Sequence, residues 1–331
     1  MGRVHGNRLV HRHSLELIAA GSVCRAYRGT GGGFQPGRCR ARAASQAVVR
    51  ARAGVGSGRE DTAWTKISGT FGLVGCGQLG AALAGALLRA EAVAPARMWV
   101  ANRSGPVPAL AGHAGLNWTA DVGLLAERCD TLLLALPPAA GRKLRLAGAG
   151  RLVISVMAGV TVEELGAVSG GARVVRAMSS PAAAIGMACS PWFAAAGVRA
   201  ADRATVRALF AACGTTDEVP AESQIDVFTA ITGPVPGFVA AFAASVQDYA
   251  QAQGVAPEVA RRAVGQLFHA AGAMLATSER PAADFVEEMV DYAGTTAAGL
   301  GALRAAGLSD VIAQGLEAAR RRCLTIGREE G

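Results

Sequence analysis

Lysine is almost missing from this sequence: only Lys66 and Lys143 stand beside 31 arginines. Together with the excess of Ala and Gly, that bias reads as high-GC codon usage and not as a physical requirement. Charged residues are scarce as well, 18% of 331 against 51% hydrophobic. Such a balance excludes a disordered or collagen-like chain and fits one large or two medium domains. Acidic residues are short in one region only. The first 66 residues carry eleven Arg and Lys66 against Glu16, Glu60 and Asp61, a net of +9, while the remainder balances to −1. Basic character confined to one end argues against a body that binds nucleic acid.

Closely paired cysteines are also absent. Cys24, Cys39, Cys76, Cys129, Cys189, Cys213 and Cys323 are odd in number and show no C-x-x-C spacing. A reduced, cytoplasmic protein without a structural metal is expected. The longest apolar run, Ile231 to Val246, is interrupted by Pro234 and Pro236. It falls short of the ~20 residues that cross a bilayer, so no membrane span is expected. No H-E-x-x-H, Ser-His-Asp or paired-carboxylate arrangement calls for hydrolytic or metal chemistry.

Residues 1–66 show no sustained period of 2 or 3.6 and are expected to be a disordered or misassigned N-terminal extension. From residue 67 a regular pattern begins. Strands are predicted at Thr70–Val74, Met98–Ala101, Thr131–Leu136 and Leu152–Val156, closing with Arg173–Ala177 and the segment around Trp192–Ala195. Continuous apolar runs of this length suit a parallel sheet buried on both faces. Helices are predicted at Ala81–Ala90, Val122–Arg128, Ala139–Ala147 and Val162–Val168. The alternation specifies an α/β, doubly wound domain over residues 67–219. Residues 220–328 then read as all-helical, with helices over Phe238–Gln253, Pro257–Ala276, Ala282–Val290, Thr296–Ala305 and Ser309–Ile326. Phe238–Val246 is apolar on almost every face and must be buried on all sides, for which an interlocked dimer is the economical answer.

Gly75-Cys76-Gly77-Gln78-Leu79-Gly80 follows a strand and opens a helix. The first Gly permits a tight turn, the second lets a pyrophosphate approach the backbone, and the third allows helix and strand to pack. The helix N-terminus offers free N–H groups to the phosphates. An NAD site usually places a carboxylate after the next strand, about 20 residues on. Here Asn102-Arg103-Ser104 stands instead. A guanidinium and a small hydroxyl suit a 2′-phosphate, so NADP(H) is preferred over NAD(H).

FGLVGCGQLGAALAGALL with its NRS turn, TLLLALPP at Thr131–Pro138, LVISVMAGVTVEEL at Leu152–Leu165 and VVRAM at Val174–Met178 occur in order. They are followed by DVFTAITGPVPGF at Asp226–Phe238 and DYAGTTAAGLGAL at Asp291–Leu303. This succession resembles the pyrroline-5-carboxylate reductase family from Phe71 to about residue 327. The resemblance implies a Rossmann-type domain and a helical domain that interlocks into a homodimer or higher oligomer. It also implies NAD(P)H-dependent reduction of 1-pyrroline-5-carboxylate to proline. Leu136 and Pro137 join the cofactor residues. Thr232, Gly294, Thr295 and Thr296 become substrate residues, the turn at 294–296 clamping a carboxylate through backbone N–H groups. Thr296 is the catalytic candidate, its hydroxyl bonding the imine nitrogen or relaying its proton. An ordinary helix N-cap is the alternative for that turn.

The sequence also differs from the family pattern. P-N-T-P is Ser179-Ser180-Pro181, the Lys of A-V-K-P is Pro137, and S-P-G-G is Asp291-Tyr292-Ala293-Gly294. S-G-S-G-P-A-Y becomes Thr232-Gly233-Pro234-Val235-Pro236-Gly237-Phe238. These differences leave room for a paralogue that reduces another imine or carbonyl compound, or for a catalytically silent nucleotide-binding dimer.

Overall fold

The computed structural model describes residues 66–326, so nearly all of the expected extension lies outside the described residues. Its strands are β1 (Phe71–Val74), β2 (Met98–Ala101), β3 (Asn117–Thr119), β4 (Thr131–Leu134), β5 (Leu152–Ser155), β6 (Arg173–Ala177), β7 (Ala188–Cys189), β8 (Trp192–Ala194) and β9 (Gly214–Thr215). Seven of them form one sheet in the order β3-β2-β1-β4-β5-β6-β8, parallel except for β8, while β7 and β9 pair separately. Every residue of β1, β4 and β5 is buried. That is why these runs are continuously apolar and do not alternate. The order reverses between β1 and β4, which opens a crevice at the carboxyl ends of those strands.

Helices α1 (Gln78–Arg89), α2 (Val122–Arg128), α3 (Pro138–Arg142) and α4 (Val162–Val168) provide the crossovers, and α5 (Ala200–Ala211) follows the antiparallel edge. Local chemistry sets their starts. Asp121 caps α2 by accepting from Gly123 and Leu124 N–H, and Thr161 with Glu164 forms a reciprocal capping box on α4. Two expectations need correction. Strand β4 stops at Leu134, because the chain then passes closely over Gly75. The helix expected over Ala139–Ala147 ends at Arg142, since Leu146 and Gly148 donate instead to Val168 and Ser169 at the end of α4. Strand β3 is three half-buried residues with no pattern to read. Helix α5 is also absent from the predicted helices, although its buried Asp202, Val206, Leu209 and Phe210 recur at helical spacing.

The remainder is helical: α6 (Ser223–Thr232), α7 (Val235–Ala252), α8 (Pro257–Thr277), α9 (Ala282–Asp291), α10 (Thr295–Ala305) and α11 (Leu308–Thr325). Pro234 and Pro236 do not interrupt the apolar run as expected. Gly233 and Pro234 both keep right-handed helical angles. Prolines at a helix start also sacrifice no needed donor. Ser223–Ala252 is therefore nearly continuous, and an 18-residue window within it reaches a mean hydropathy of 1.6. The run is long and apolar enough to cross a membrane by length and composition alone. Within one protomer Phe238–Val246 is left uncovered, so the burial expected of it falls to the dimer. No residue of α7 is buried there, and Phe242, which packs edge-on against Phe268, stays 57% exposed.

Two polar fastenings hold this helical part to the sheet. Arg176 of β6, 1% exposed, pairs with Glu222 at 2.9 Å and with Asp226 of α6. Glu222 also accepts the Val162 N–H at 2.7 Å, and the Cys323 thiol of α11 donates to Asp226. At a second point, Arg142 donates to the Ile326 carbonyl at 3.0 Å and to the Gly159 carbonyl at 2.6 Å.

Candidate active site

The glycines after β1 have three separate tasks. Gly75 has φ +93°, and a Cβ there would lie 2.6 Å from the Ala135 carbonyl oxygen. A Cβ on Gly80 would lie 2.1 Å from the Gly75 carbonyl oxygen. Gly77 meets nothing within 4 Å and caps α1 without a side-chain bond. The first and third glycines thus close the turn, while the second leaves open space before a helix end whose N–H groups have no cap. A pyrophosphate fits that cradle on size, charge and donor supply. Gln78 is exposed, Leu79 is half-buried, and Leu136 packs against Gly75 from the end of β4. Pro137 caps α3 beside it.

Beyond β2, the Asn102 side-chain amide donates to Ser104 Oγ at 3.1 Å and to the Gly105 carbonyl at 2.7 Å. The Asn102 N–H is fixed on the Thr119 carbonyl of β3. This closed turn leaves Arg103 and Ser104 exposed, and among the described residues no carboxylate pairs with Arg103. The expected cofactor residues therefore gather at the carboxyl edges of β1, β2 and β4. Cys76, inside the cradle, is buried, and burial pushes its thiol up to about 11. It remains a neutral packing group and not a nucleophile at neutral pH.

The second group of residues lies on the helices. Gly294 is the N-cap of α10, so Thr295 and Thr296 are its first two residues and present an uncapped helix start. A left-handed glycine would suit such a turn, but Gly294 has φ −97° and the strained residue is Ala293 at +55°. Thr296 borders a cavity of about 360 Å³ whose walls come from residues 274–296. Thr232 ends α6 and donates its hydroxyl to the Phe228 carbonyl at 2.9 Å, leaving only its lone pairs for a ligand. Within one protomer the cavity beside Thr296 has no wall from the nucleotide cradle. Sequence reasoning misses the buried Arg176 network. Its one signal is an Arg inside the apolar strand VVRAM.

Two family models match the chain. "Pyrroline-5-carboxylate reductase dimerisation" covers residues 222–326, and "NADP oxidoreductase coenzyme F420-dependent" covers residues 70–159. The pyrroline-5-carboxylate reductase of Thermus thermophilus is 34% identical over 178 residues, 54% of this chain and 67% of that protein. That of Methanosarcina acetivorans is 26% identical over 78% of this chain and 98% of its own length. The structure of Plasmodium falciparum pyrroline carboxylate reductase with NADP bound superposes with a TM-score of 0.69 at 25% identity, covering 79% of this chain and 99% of that one.

Proposed function

We propose that this chain, which belongs to the pyrroline-5-carboxylate reductase family, reduces a cyclic imine with NADPH, foremost 1-pyrroline-5-carboxylate to L-proline. It is an NAD(P)H-dependent oxidoreductase acting on a carbon–nitrogen bond. The observation that carries the reading is the open space at Gly77 before the uncapped start of α1. Preference for NADPH rests on the carboxylate-free Asn102-Arg103-Ser104 turn, where an exposed guanidinium can take a 2′-phosphate bidentately.

The bound nicotinamide supplies the hydride that reaches the imine carbon. The chain's own residues orient the acceptor. N–H groups at Gly294, Thr295 and Thr296 clamp its carboxylate, and the Thr296 hydroxyl holds the proton at the imine nitrogen. Positioning of this kind accounts for most of the rate, since little other chemistry is needed. In this reading the turn at 294–296 faces a nucleotide cradle across the domain or dimer boundary, and a cavity walled by helical residues alone supports the cradle of a second copy. The homodimer also covers the exposed face of α7, in preference to a bilayer. Asp226, paired with Arg176 of β6, ties the start of the apolar run to the sheet. We place the reaction in the cytoplasm, a reading supported by the five free thiols among the described residues.

NADPH oxidation with 1-pyrroline-5-carboxylate tests the proposal, and rescue of a proline auxotroph tests its physiological form. Turnover with formation of proline supports it. Turnover only on other imines favours the paralogue, a second reading that Asp291 and Tyr292 beside the anion turn support. Nucleotide binding without turnover on any imine would leave a silent dimer.

A further inference from the structure

The cavity beside Thr296 has more room and more apolar wall than a small carboxylate-bearing ring needs. It is bounded by Met274 at the end of α8, by Phe285 and Met289 of α9, and by Tyr292 at the corner before α10. These side chains are not filled in by the protomer's own core: Tyr292 is 88% exposed, and Met274 and Met289 are about half exposed. The two charges on the wall neutralise each other, Arg280 pairing with Glu288 at 2.9 Å while its guanidinium lies 5.2 Å from the Phe285 ring centre. The Tyr292 ring runs along Gly294, where a Cβ would lie 3.5 Å from Cδ1. An aromatic surface therefore adjoins the carboxylate turn directly. Asp291 adds a negative charge next to it, unfavourable to a second acidic group on the substrate.

We propose that this cavity receives an apolar, aromatic-sized substituent of the substrate, so that the preferred substrates are cyclic imines bearing such a group. The inference rests on the imine-reduction reading above and deepens it. Met side chains adapt to irregular apolar shapes, and Tyr and Phe offer ring faces and edges to an incoming ring. The cavity's volume and mostly apolar walls fall within the range of small-molecule sites, and within one protomer it stays open on the side of Tyr292. The substituent takes no part in bond making. Hydride still adds to the imine carbon, and the proton still goes to nitrogen.

The test uses the full-length protein with NADPH and three imines: 1-pyrroline, 1-pyrroline-5-carboxylate and 2-phenyl-1-pyrroline. Wild type is compared with Tyr292→Ser and Met289→Ser, and binding of 2-phenylpyrrolidine is followed in parallel by intrinsic fluorescence. The expected kcat/KM for the phenyl imine exceeds that for 1-pyrroline at least tenfold, and each variant lowers that ratio at least tenfold while weakening 2-phenylpyrrolidine binding. Reduction of 1-pyrroline with no preference for the phenyl compound overturns this assignment and leaves imine reduction standing. No turnover of any imine, with 2-phenylpyrrolidine bound by wild type and weakened in both variants, overturns the reaction and leaves the cavity's ligand class in place. Neither turnover nor binding overturns both. A variant that dissociates into protomers with its substrate ratio unchanged assigns the cavity to subunit contact and overturns the inference.

Discussion

At the scale of single residues, the three cradle glycines separate folding from binding. Gly80→Ala forces a Cβ to within 2.1 Å of a carbonyl oxygen. It should cost about 1–3 kcal/mol of stability, seen as a lowered Tm without cofactor. Gly77→Ala adds its methyl to open space and should leave that Tm near wild type while weakening NADPH binding. A calorimetric scan and a titration on the same samples check both. Arg103→Ala should raise the Kd for NADPH ten- to hundredfold, about 1.5–3 kcal/mol for a lost charge-assisted contact, and change NADH binding little. Equal weakening of the two cofactors would remove Arg103 from the 2′-phosphate. Glycine spacing is legible in sequence because it encodes turns that few other residues tolerate. The corner before α10 defeats the same reasoning: residue type favours Gly294 as the left-handed residue, but Ala293 takes that conformation.

Elements show where sequence reading succeeds and where it stops. Helices α2 and α4 carry their caps within a few residues, so their bounds are legible in the local sequence alone. Periodicity makes helix α3 too long because its end depends on hydrogen bonds with α4, some twenty residues away. The partners of Arg176 lie 46 and 50 positions along the chain, beyond any local pattern. Helix α5 is fastened similarly. Asp202 in its first turn takes Arg173 of β6 at 2.6 Å and Arg199 at 3.0 Å. Burial opposes ionisation of Asp202, but the hydrogen bonds from Arg199 and Arg173 prevail and hold its carboxyl well below the usual carboxylate range. Its folded pKa is therefore depressed relative to the unfolded chain, where Asp titrates near ~3.9. The stabilisation is complete above that value and fades as pH falls through the lower folded value. Denaturant titrations at several pH values should show Asp202→Asn less stable than wild type at pH 7. The gap should narrow steadily below about pH 4.

For the whole molecule, the doubly wound parallel sheet is legible in sequence, whereas its edge strand β3 is not and the destination of the apolar helices is legible only as a requirement. Helix α7 has the composition of a core helix and, in one protomer, the exposure of a surface helix. Burying a face of this kind contributes roughly 25 cal/mol per Å², and a second copy can supply the cover. Phe242→Asp should shift the sedimentation equilibrium from dimer toward protomer while far-ultraviolet circular dichroism still reports folded helices. A dimer unchanged by that charge would place the subunit contact elsewhere on the helical part.

The fastening of Arg142 on Ile326, set beside that of Arg176 on Glu222 and Asp226, has a kinematic consequence. Cys323, three residues before Ile326, donates to Asp226, so the two fastenings share one neighbour. Met178, Val219 and Ile225 pack beside them with Phe193 and Phe228. The first and last helices of the helical part are thus clamped to the sheet domain as one joint and not as two independent hinges. A displacement of either helix at that joint is passed to the other.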